Sequence, residues 1–155
     1  MGAGKTLVGA LVAERSHATL FDLDTMVEDR AGMPIADIFA THSEKVFRAL
    51  EKELLPRALK PGAVAALGGG VVMDDDNWAL LSDQALTVYL EVPFATLWNR
   101  IGHLSGRPLI ARRSREEVEA LFELRRPRYE LAARRVDGDR EATVVATEVM
   151  KLWSD

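Results

Sequence analysis

The sequence predicts a three-layer α/β/α domain in which helices cover both faces of a central parallel sheet. Short apolar runs alternate with longer amphipathic stretches along the 155 residues, which is typical of such sheets. No internal repeat, low-complexity tract or linker interrupts this alternation. The length also suits one domain with its own core. We therefore expect a single domain over residues 1–155.

Hydrophobic periodicity predicts the individual elements. Strands are expected at 18–21, 63–67, 86–92 and, at an edge of the sheet, 134–136. Helices are expected at 4–15, 25–31, 35–59 with a break near His42 and Ser43, 77–83, 93–101, 115–133 and 141–153. The acidic run at 74–76 is expected to cap the helix that follows it.

The composition excludes several classes of function. The net charge of −4 provides no basic surface for nucleic acid or an anionic membrane. No apolar run reaches the roughly 18 residues that span a bilayer. The absence of cysteine excludes a disulfide framework and a zinc ribbon, and it is compatible with a reducing cytoplasm. We expect a cytoplasmic monomer whose partner is a small molecule, with no nucleic acid or membrane involved.

Residues 2–6 read Gly-Ala-Gly-Lys-Thr at the start of a predicted helix, which is the C-terminal part of a Walker A phosphate loop. Glycines let backbone N–H groups turn toward phosphate oxygens, and the helix N-terminus adds its positive dipole end. In such a loop Lys5 would reach the β- and γ-phosphates of ATP, and the Thr6 hydroxyl would bind Mg²⁺. A glycine-rich terminus that only begins a helix is the alternative. The residues expected to contact the nucleotide here are Gly2, Ala3, Gly4, Lys5, Thr6 and Leu7.

This phosphate-loop motif is incomplete. The full Walker A pattern needs a glycine five places before Gly4, and the chain begins too late to contain it. The strand that normally precedes the loop is also absent, and in a doubly wound sheet that strand is central. We therefore expect a P-loop kinase fold that is N-terminally short and lacks its first strand. Whether the chain is active is then a separate question.

Further motifs extend over essentially the whole chain. They are D-x-D at 22–24, R-x-G-x-x-I-x-x-I-F at 30–39, E-x-x-F-R-x-x-E at 44–51, a glycine triplet at 68–70, R-P-L at 107–109, and Arg125 followed by Tyr129. Each match alone is weak, but the ordered set, at these spacings, resembles the motifs of shikimate kinases. The resemblance implies a P-loop kinase that transfers the γ-phosphate of ATP to the 3-hydroxyl of shikimate, with Mg²⁺, in aromatic amino acid biosynthesis.

The same resemblance implies roles for the acceptor side of the site. Asp24 would bind the substrate hydroxyls and orient or deprotonate the attacking one. Asp22, on the same strand face, would help hold Mg²⁺ through water. An acidic pair that caps the next helix is the alternative for both. Arg48 and Arg125 would bind the substrate carboxylate, because a planar fork of donors suits a planar anion; taken alone, each is more often a surface arginine.

A glycine triplet and three further arginines complete the predicted site. Arg107 lies in a predicted lid, about residues 102–113, and would stabilise the transferring phosphate. Arg100 would pack on the adenine, and Arg140 lies in the expected adenine-side loop. The triplet would present unobstructed N–H groups to the substrate and the γ-phosphate; its members are Gly68, Gly69 and Gly70.

Two other functions are open at this point. Another small-molecule P-loop kinase, such as a gluconate kinase, shares the phosphate loop but not the paired acids, Phe47-Arg48 and the glycine triplet. A non-catalytic, kinase-like binding module could result from the loss of the first strand. One departure from the family pattern is Ser43, which stands where a glycine usually precedes the acid matched to Glu44 and could instead cap the helix.

Overall fold

The computed structural model describes residues 2–101 and 113–153 of the chain. Helices and strands alternate, as the periodicity predicts. The helices are α1 Lys5–Ser16, α2 Leu23–Ala31, α3 Ile35–Thr41, α4 Glu44–Ala58, α5 Asp75–Gln84, α6 Phe94–Ile101, α7 Arg115–Tyr129 and α8 Ala142–Trp153; the strands are β1 Leu20–Asp22, β2 Val64–Ala66, β3 Val88–Glu91 and β4 Arg134–Asp137; a 3-10 turn lies at Val71–Met73.

The four described strands form two parallel pairs. Strand β1 pairs with β2, so that Asp22 lies opposite Ala66, and β3 pairs with β4, so that Val88 lies opposite Arg134. Within residues 2–101 and 113–153, no ladder joins β2 to β3. Parallel pairing confirms the α/β prediction.

Two of the apolar clusters in the described residues hold most of these elements together. The first packs α2, α3, α4 and α5 around residues such as Leu23 and Leu55, both fully buried. The second packs α1 and α8 against β3 and β4 through residues such as Val12 and Val145. Helix α1 also contacts the first strand pair, since a Cβ on Gly9 would lie 3.3 Å from a side-chain carbon of β1. Helix α1 therefore connects the two strand pairs.

Local capping explains why two of the helices begin where they do. The Ser43 hydroxyl accepts the N–H of Val46 at 3.4 Å, which confirms the predicted break between α3 and α4. The Asp74 carboxylate accepts the N–H groups of Asp76 and Asn77, both at 3.0 Å, and so caps α5 as expected. Each cap satisfies a backbone donor that has no partner inside its helix.

Helix α2 corrects one prediction. It begins at Leu23, directly after β1, because the Asp22 carboxylate accepts the N–H groups of Asp24 at 3.0 Å and Thr25 at 3.4 Å. Asp24 therefore lies in the first helical turn, and the prediction that Asp22 and Asp24 share a strand face is wrong. Helix α7 also ends earlier than predicted, at Tyr129 rather than at 133.

Three further expectations concern a membrane span, the lid and the number of domains. In the described part of the chain, no helix is both long and apolar enough to cross a membrane. The predicted lid lies almost wholly outside the described residues, which resume at 113. The assignment of a single domain to residues 1–155 stays a prediction.

Candidate active site

Residues 2–4 form a tight loop that leads into α1. Gly2 and Gly4 have φ angles of 67° and 80°, which glycine adopts without steric cost. A Cβ on Gly2 would lie only 2.7 Å from Ile101 Cγ2, so the loop packs directly on α6. No described side chain caps α1 at Gly4, and its first-turn N–H groups have no partner within the helix. A loop of this shape before a helix N-terminus suits a phosphate group.

The two predicted metal ligands lie next to each other. The Thr6 hydroxyl donates to Asp22 Oδ2 at 2.6 Å, while Asp22 Oδ1 accepts the N–H of Asp24 at 3.0 Å. Asp22 thus caps α2 and contacts the phosphate loop at the same time. Hard oxygen donors of this kind suit Mg²⁺, which is usually held by one or two protein ligands together with water and substrate phosphates. The described residues contain no group of three or more His, Cys, Asp or Glu side chains placed to hold a metal ion.

A second group of residues surrounds the glycine triplet. A Cβ on Gly68 would lie 3.2 Å from Asp24 Oδ1 and 3.0 Å from Glu51 Oε1, and a Cβ on Gly70 would overlap the Arg48 guanidinium. The absence of a Cβ at Gly68 and at Gly70 is therefore what allows these polar groups to converge. We call this group the acceptor cluster; its members are Asp24, Arg48, Glu51, Gly68, Gly69, Gly70, Arg125 and Tyr129.

Arg48 is held by two carboxylates of its own helix. Its Nε and Nη2 donate to Glu44 Oε1 at 3.3 and 3.0 Å, and its Nη1 donates to Glu51 Oε2 at 2.5 Å. The guanidinium also lies over the ring of Phe47, 5.0 Å from the centroid. These contacts use three of its five donors, which leaves one N–H on each terminal nitrogen. Two such donors are enough for one bound carboxylate.

The structure gives Arg125 different surroundings from those of Arg126 and Arg128, the two other arginines near it in α7. Arg125 is 9% exposed, whereas Arg126 is half exposed and pairs with Glu123 of its own helix and with Glu130, directly after the end of that helix. Arg128 pairs with an aspartate of α5. The Tyr129 hydroxyl donates to the carbonyl of Gly69 at 2.8 Å. Burial raises the pKa of Tyr129, and the nearby Arg125 guanidinium opposes that rise. Arg125 alone among the three therefore lies within the acceptor cluster.

Glu51 received no role from the sequence, although it belongs to one of the matched motifs. It is 1% exposed, and its Oε1 has no hydrogen-bond partner among the described residues. Burial raises the pKa of Glu51 to about 7; the Asp24 charge adds to the rise, and Arg48 and Arg125 oppose it. The sequence did contain a signal for Glu51: it follows Arg48 by three residues on a predicted helix, a spacing that brings the two side chains together.

Arg100 and Arg140 have different surroundings. Arg100 Nη1 donates to the carbonyl of Gly2 at 3.4 Å, and Nη2 lies 3.5 Å from Asp139 Oδ1. Thr96 donates to the other oxygen of Asp139 at 3.1 Å, so an acid that sequence reasoning missed ties the loop after β4 to α6. Arg140 instead pairs with a glutamate of α8. Arg107 lies outside the described residues.

Comparisons with a family model, with related sequences and with solved structures all point to the same family. A family model described as shikimate kinase matches residues 1–153. The shikimate kinase of Moorella thermoacetica is 40% identical over 99% of this chain and 91% of that relative, and the one from Thermobifida fusca is 43% identical over 85% and 77%. A solved shikimate kinase from Acinetobacter baumannii in complex with shikimate superposes with a TM-score of 0.93 at 30% identity, covering 99% of this chain and 88% of its own. The crystal structure from Aquifex aeolicus gives a TM-score of 0.88 at 30% identity, over 99% and 92%. The chain belongs to the shikimate kinase family.

Proposed function

We propose that this chain transfers the γ-phosphate of ATP to the 3-hydroxyl of shikimate, forming shikimate 3-phosphate and ADP. One observation carries the proposal: the Thr6 hydroxyl binds one oxygen of Asp22, and the other oxygen accepts the N–H of Asp24. This contact brings the phosphate loop beside the acceptor cluster. Family membership supports shikimate as the acceptor, since relatives that cover most of the chain are shikimate kinases.

On the nucleotide side, the residues present fit a phosphate group and a magnesium ion. The loop at 2–4 and the first turn of α1 would donate backbone N–H groups to the phosphates, and Lys5 would neutralise part of their charge. Thr6 and Asp22 would hold Mg²⁺, directly or through water. When bound, the ion supplies neutralisation of charge on the phosphate oxygens. Arg100 and Arg140 are proposed for the adenine side, and Arg107 for the transferring phosphate.

On the acceptor side, the side chains divide into two roles. Arg48 keeps two N–H groups for an anion, and the buried guanidinium of Arg125 lies near the same group of residues, so together they would fix the shikimate carboxylate. Asp24 is an exposed residue whose Oδ1 lies beside Gly68, where the carboxylate would orient the attacking hydroxyl and accept its proton. Catalysis in this arrangement depends mainly on positioning and charge neutralisation.

A substrate panel tests this assignment against the gluconate-kinase alternative. ADP release is measured in a coupled assay with shikimate, with gluconate and with no acceptor, and the product is identified by mass. We expect turnover with shikimate and only background release in the other two reactions. Equal or faster turnover with gluconate would show a different acceptor, and release that is independent of the acceptor would show an ATPase.

Thermal unfolding with ligands tests the alternative of a non-catalytic module. A ligand stabilises a protein only when the folded state holds its site. We expect Mg-ATP to raise the Tm and shikimate to raise it further. A Tm that responds to Mg-ATP without any turnover on shikimate would favour a binding module, and a Tm that responds to neither ligand would count against both sites.

Two coarser expectations accompany this function. We infer that the enzyme is a monomer, because the sequence shows no apolar interface stripe, and sedimentation velocity would test that inference. A cytoplasmic location also stays a prediction.

A further inference from the structure

The glycine triplet of the acceptor cluster is held by its carbonyl groups. The carbonyls of Gly68 and Gly70 accept N–H groups of the 3-10 turn that directly follows the triplet, at 3.2 and 3.1 Å. The carbonyl of Gly69 accepts the Tyr129 hydroxyl at 2.8 Å. Of these three contacts, the one from Tyr129 therefore joins the triplet to a distant part of the chain.

The contact on Gly69 fixes the direction of the next N–H group. A trans peptide unit is planar, so its C=O and its N–H point in opposite directions. The Gly69 carbonyl and the Gly70 N–H belong to one such unit. Because glycine has the widest choice of backbone angles, an outside contact has more to fix here than at other residues. Gly70 also packs against the Arg48 guanidinium, so Tyr129 sets the orientation of an N–H group beside that arginine.

The Tyr129 hydroxyl also interacts with the buried arginine of the acceptor cluster. Arg125 and Tyr129 are four residues apart on α7 and so lie on one face of that helix. Burial raises the pKa of Tyr129, whereas the Arg125 guanidinium lowers it through its charge and through a hydrogen bond. The charge of Arg48 lowers it as well. The hydroxyl is therefore close to both arginines as well as to the triplet.

The ring of Tyr129 is held separately from its hydroxyl. It packs on the ring of Tyr89, with 5.6 Å between the centroids and an angle of 33° between the planes. Tyr89 belongs to β3, so this packing holds the end of α7 against the sheet. Packing and polar contacts thus use different parts of one side chain, and Tyr129→Phe would remove only the polar contacts.

We propose that Tyr129 is a positioning residue of the acceptor site. Its hydroxyl ties the Gly69–Gly70 peptide to the guanidinium of Arg125, so that the triplet and the arginine keep one orientation toward a bound carboxylate. Donors that are already aimed at an anion bind it more tightly, because less ordering is needed on binding. The proposal rests on the proposed function, in which Arg125 helps to hold the carboxylate of the acceptor.

Steady-state kinetics of Tyr129→Phe test this role, with Tyr89→Phe as the matched control that removes a hydroxyl from the neighbouring ring. We expect Tyr129→Phe to raise the KM for shikimate about three- to tenfold, the factor for a lost hydrogen bond of ordinary strength. The KM for ATP should not change, and Tyr89→Phe should leave both KM values unchanged. A lower Tm with an unchanged KM for shikimate would show that the contact only stabilises the fold, and would overturn the proposal.

A double-mutant cycle tests whether Tyr129 acts through Arg125. Arg125→Lys keeps the charge but loses the planar fork of donors that the hydroxyl would orient. In that background we expect Tyr129→Phe to raise the KM for shikimate by less than about twofold, because residues that act together are not additive. The same factor in both backgrounds would show that the hydroxyl acts independently of Arg125, which contradicts the proposal.

A measurement without substrates separates this proposal from the proposed function. The amide nitrogen of Gly70 responds to hydrogen bonding at the Gly69 carbonyl, since both belong to one peptide unit. We expect Tyr129→Phe to shift the Gly70 amide resonance of the free protein, and Tyr89→Phe to leave it in place. A shifted resonance without turnover on shikimate would count against the proposed function alone. An unshifted resonance in an active enzyme would count against the positioning role alone.

Fluorine labelling keeps the proposal testable if Tyr129→Phe does not fold. The chain contains two tyrosines, so incorporation of fluorotyrosine into the parent enzyme gives two resonances, which Tyr89→Phe assigns. We expect shikimate to shift the resonance of Tyr129 and to leave that of Tyr89 in place. An unshifted Tyr129 resonance at saturating shikimate would overturn the proposal.

Discussion

The acceptor cluster and the phosphate loop are built in different ways. The acceptor cluster consists of side chains from α2, α4 and α7 around three glycines, and its Glu51 and Arg125 are buried. The phosphate loop consists mainly of backbone, held by the fit of Gly2 on α6 and by side-chain contacts at Thr6 and Arg100. In the proposed function, recognition of the acceptor thus depends on charged side chains, whereas recognition of phosphate depends mainly on backbone N–H groups, which every residue except proline supplies. Single substitutions should therefore have larger effects in the acceptor cluster.

Replacing the carboxylate of Asp24 should have the largest effect. We expect Asp24→Asn to lower kcat by about 10²–10⁴-fold, because an amide cannot accept the proton of the attacking hydroxyl. Steady-state kinetics with shikimate measure the change. Asp29→Asn is the matched control, since Asp29 is an exposed acid of the same helix. A kcat for Asp24→Asn close to that of the parent enzyme would remove Asp24 from the chemical step.

Neutralising Glu51 tests whether burial in the acceptor cluster has a cost in stability. A carboxyl group whose pKa is about 7 in the folded state and about 4.5 in the unfolded state favours folding while it is protonated. Its contribution is complete below about pH 4.5 and is lost as the pH rises through 7, a loss of about 3 kcal/mol in the free energy of unfolding. Urea unfolding at pH 5 and pH 8 should show this loss in the parent protein and not in Glu51→Gln.

The control for Glu51 is Glu53→Gln, which changes an exposed acid on the same helix that pairs with Arg30. We expect it to keep the pH dependence of the parent protein. If the pH profiles of the parent protein and of Glu51→Gln are parallel, the raised pKa of Glu51 does not contribute to stability.

Removing the buried guanidinium should weaken acceptor binding selectively. We expect Arg125→Ala to raise the KM for shikimate by an amount equivalent to about 1.5–3 kcal/mol, the value of a lost charge-assisted contact, with little change in the KM for ATP. Arg126→Ala is the control, because Arg126 is half exposed and pairs with Glu123 and Glu130, its near neighbours along the chain. Similar KM values for shikimate in the two variants would contradict the assignment of Arg125 to the substrate carboxylate.

The smallest effect is expected on the nucleotide side. Arg100→Ala should raise the KM for ATP only about two- to fivefold, corresponding to roughly 0.5–1 kcal/mol for an exposed cation–π contact, and should leave the KM for shikimate unchanged. Arg135→Ala serves as the control, because Arg135 is an exposed arginine of edge strand β4. A larger effect on ATP than Arg125→Ala has on shikimate would reverse the contrast between the two regions.

The sequence by itself determined the features that depend on neighbouring residues. The alternation of apolar runs predicted all four described strands, the serine before α4 and the aspartate before α5 were offered as caps, and Gly-Ala-Gly-Lys-Thr predicted a phosphate loop. These features are local, since capping, glycine backbone angles and helix periodicity act over a few residues.

Only the tertiary structure decided the features that depend on distant segments. It buried Arg125 and left Arg126 exposed on the same helix, and it enclosed Glu51 between Arg48 and Asp24. It also placed Asp24 in the first turn of α2 and not on the predicted strand face, and within residues 2–101 and 113–153 it formed no ladder between β2 and β3. Burial, charge environment and strand pairing depend on which segments meet across the core, and the spacing of residues along one segment carries no information about that meeting.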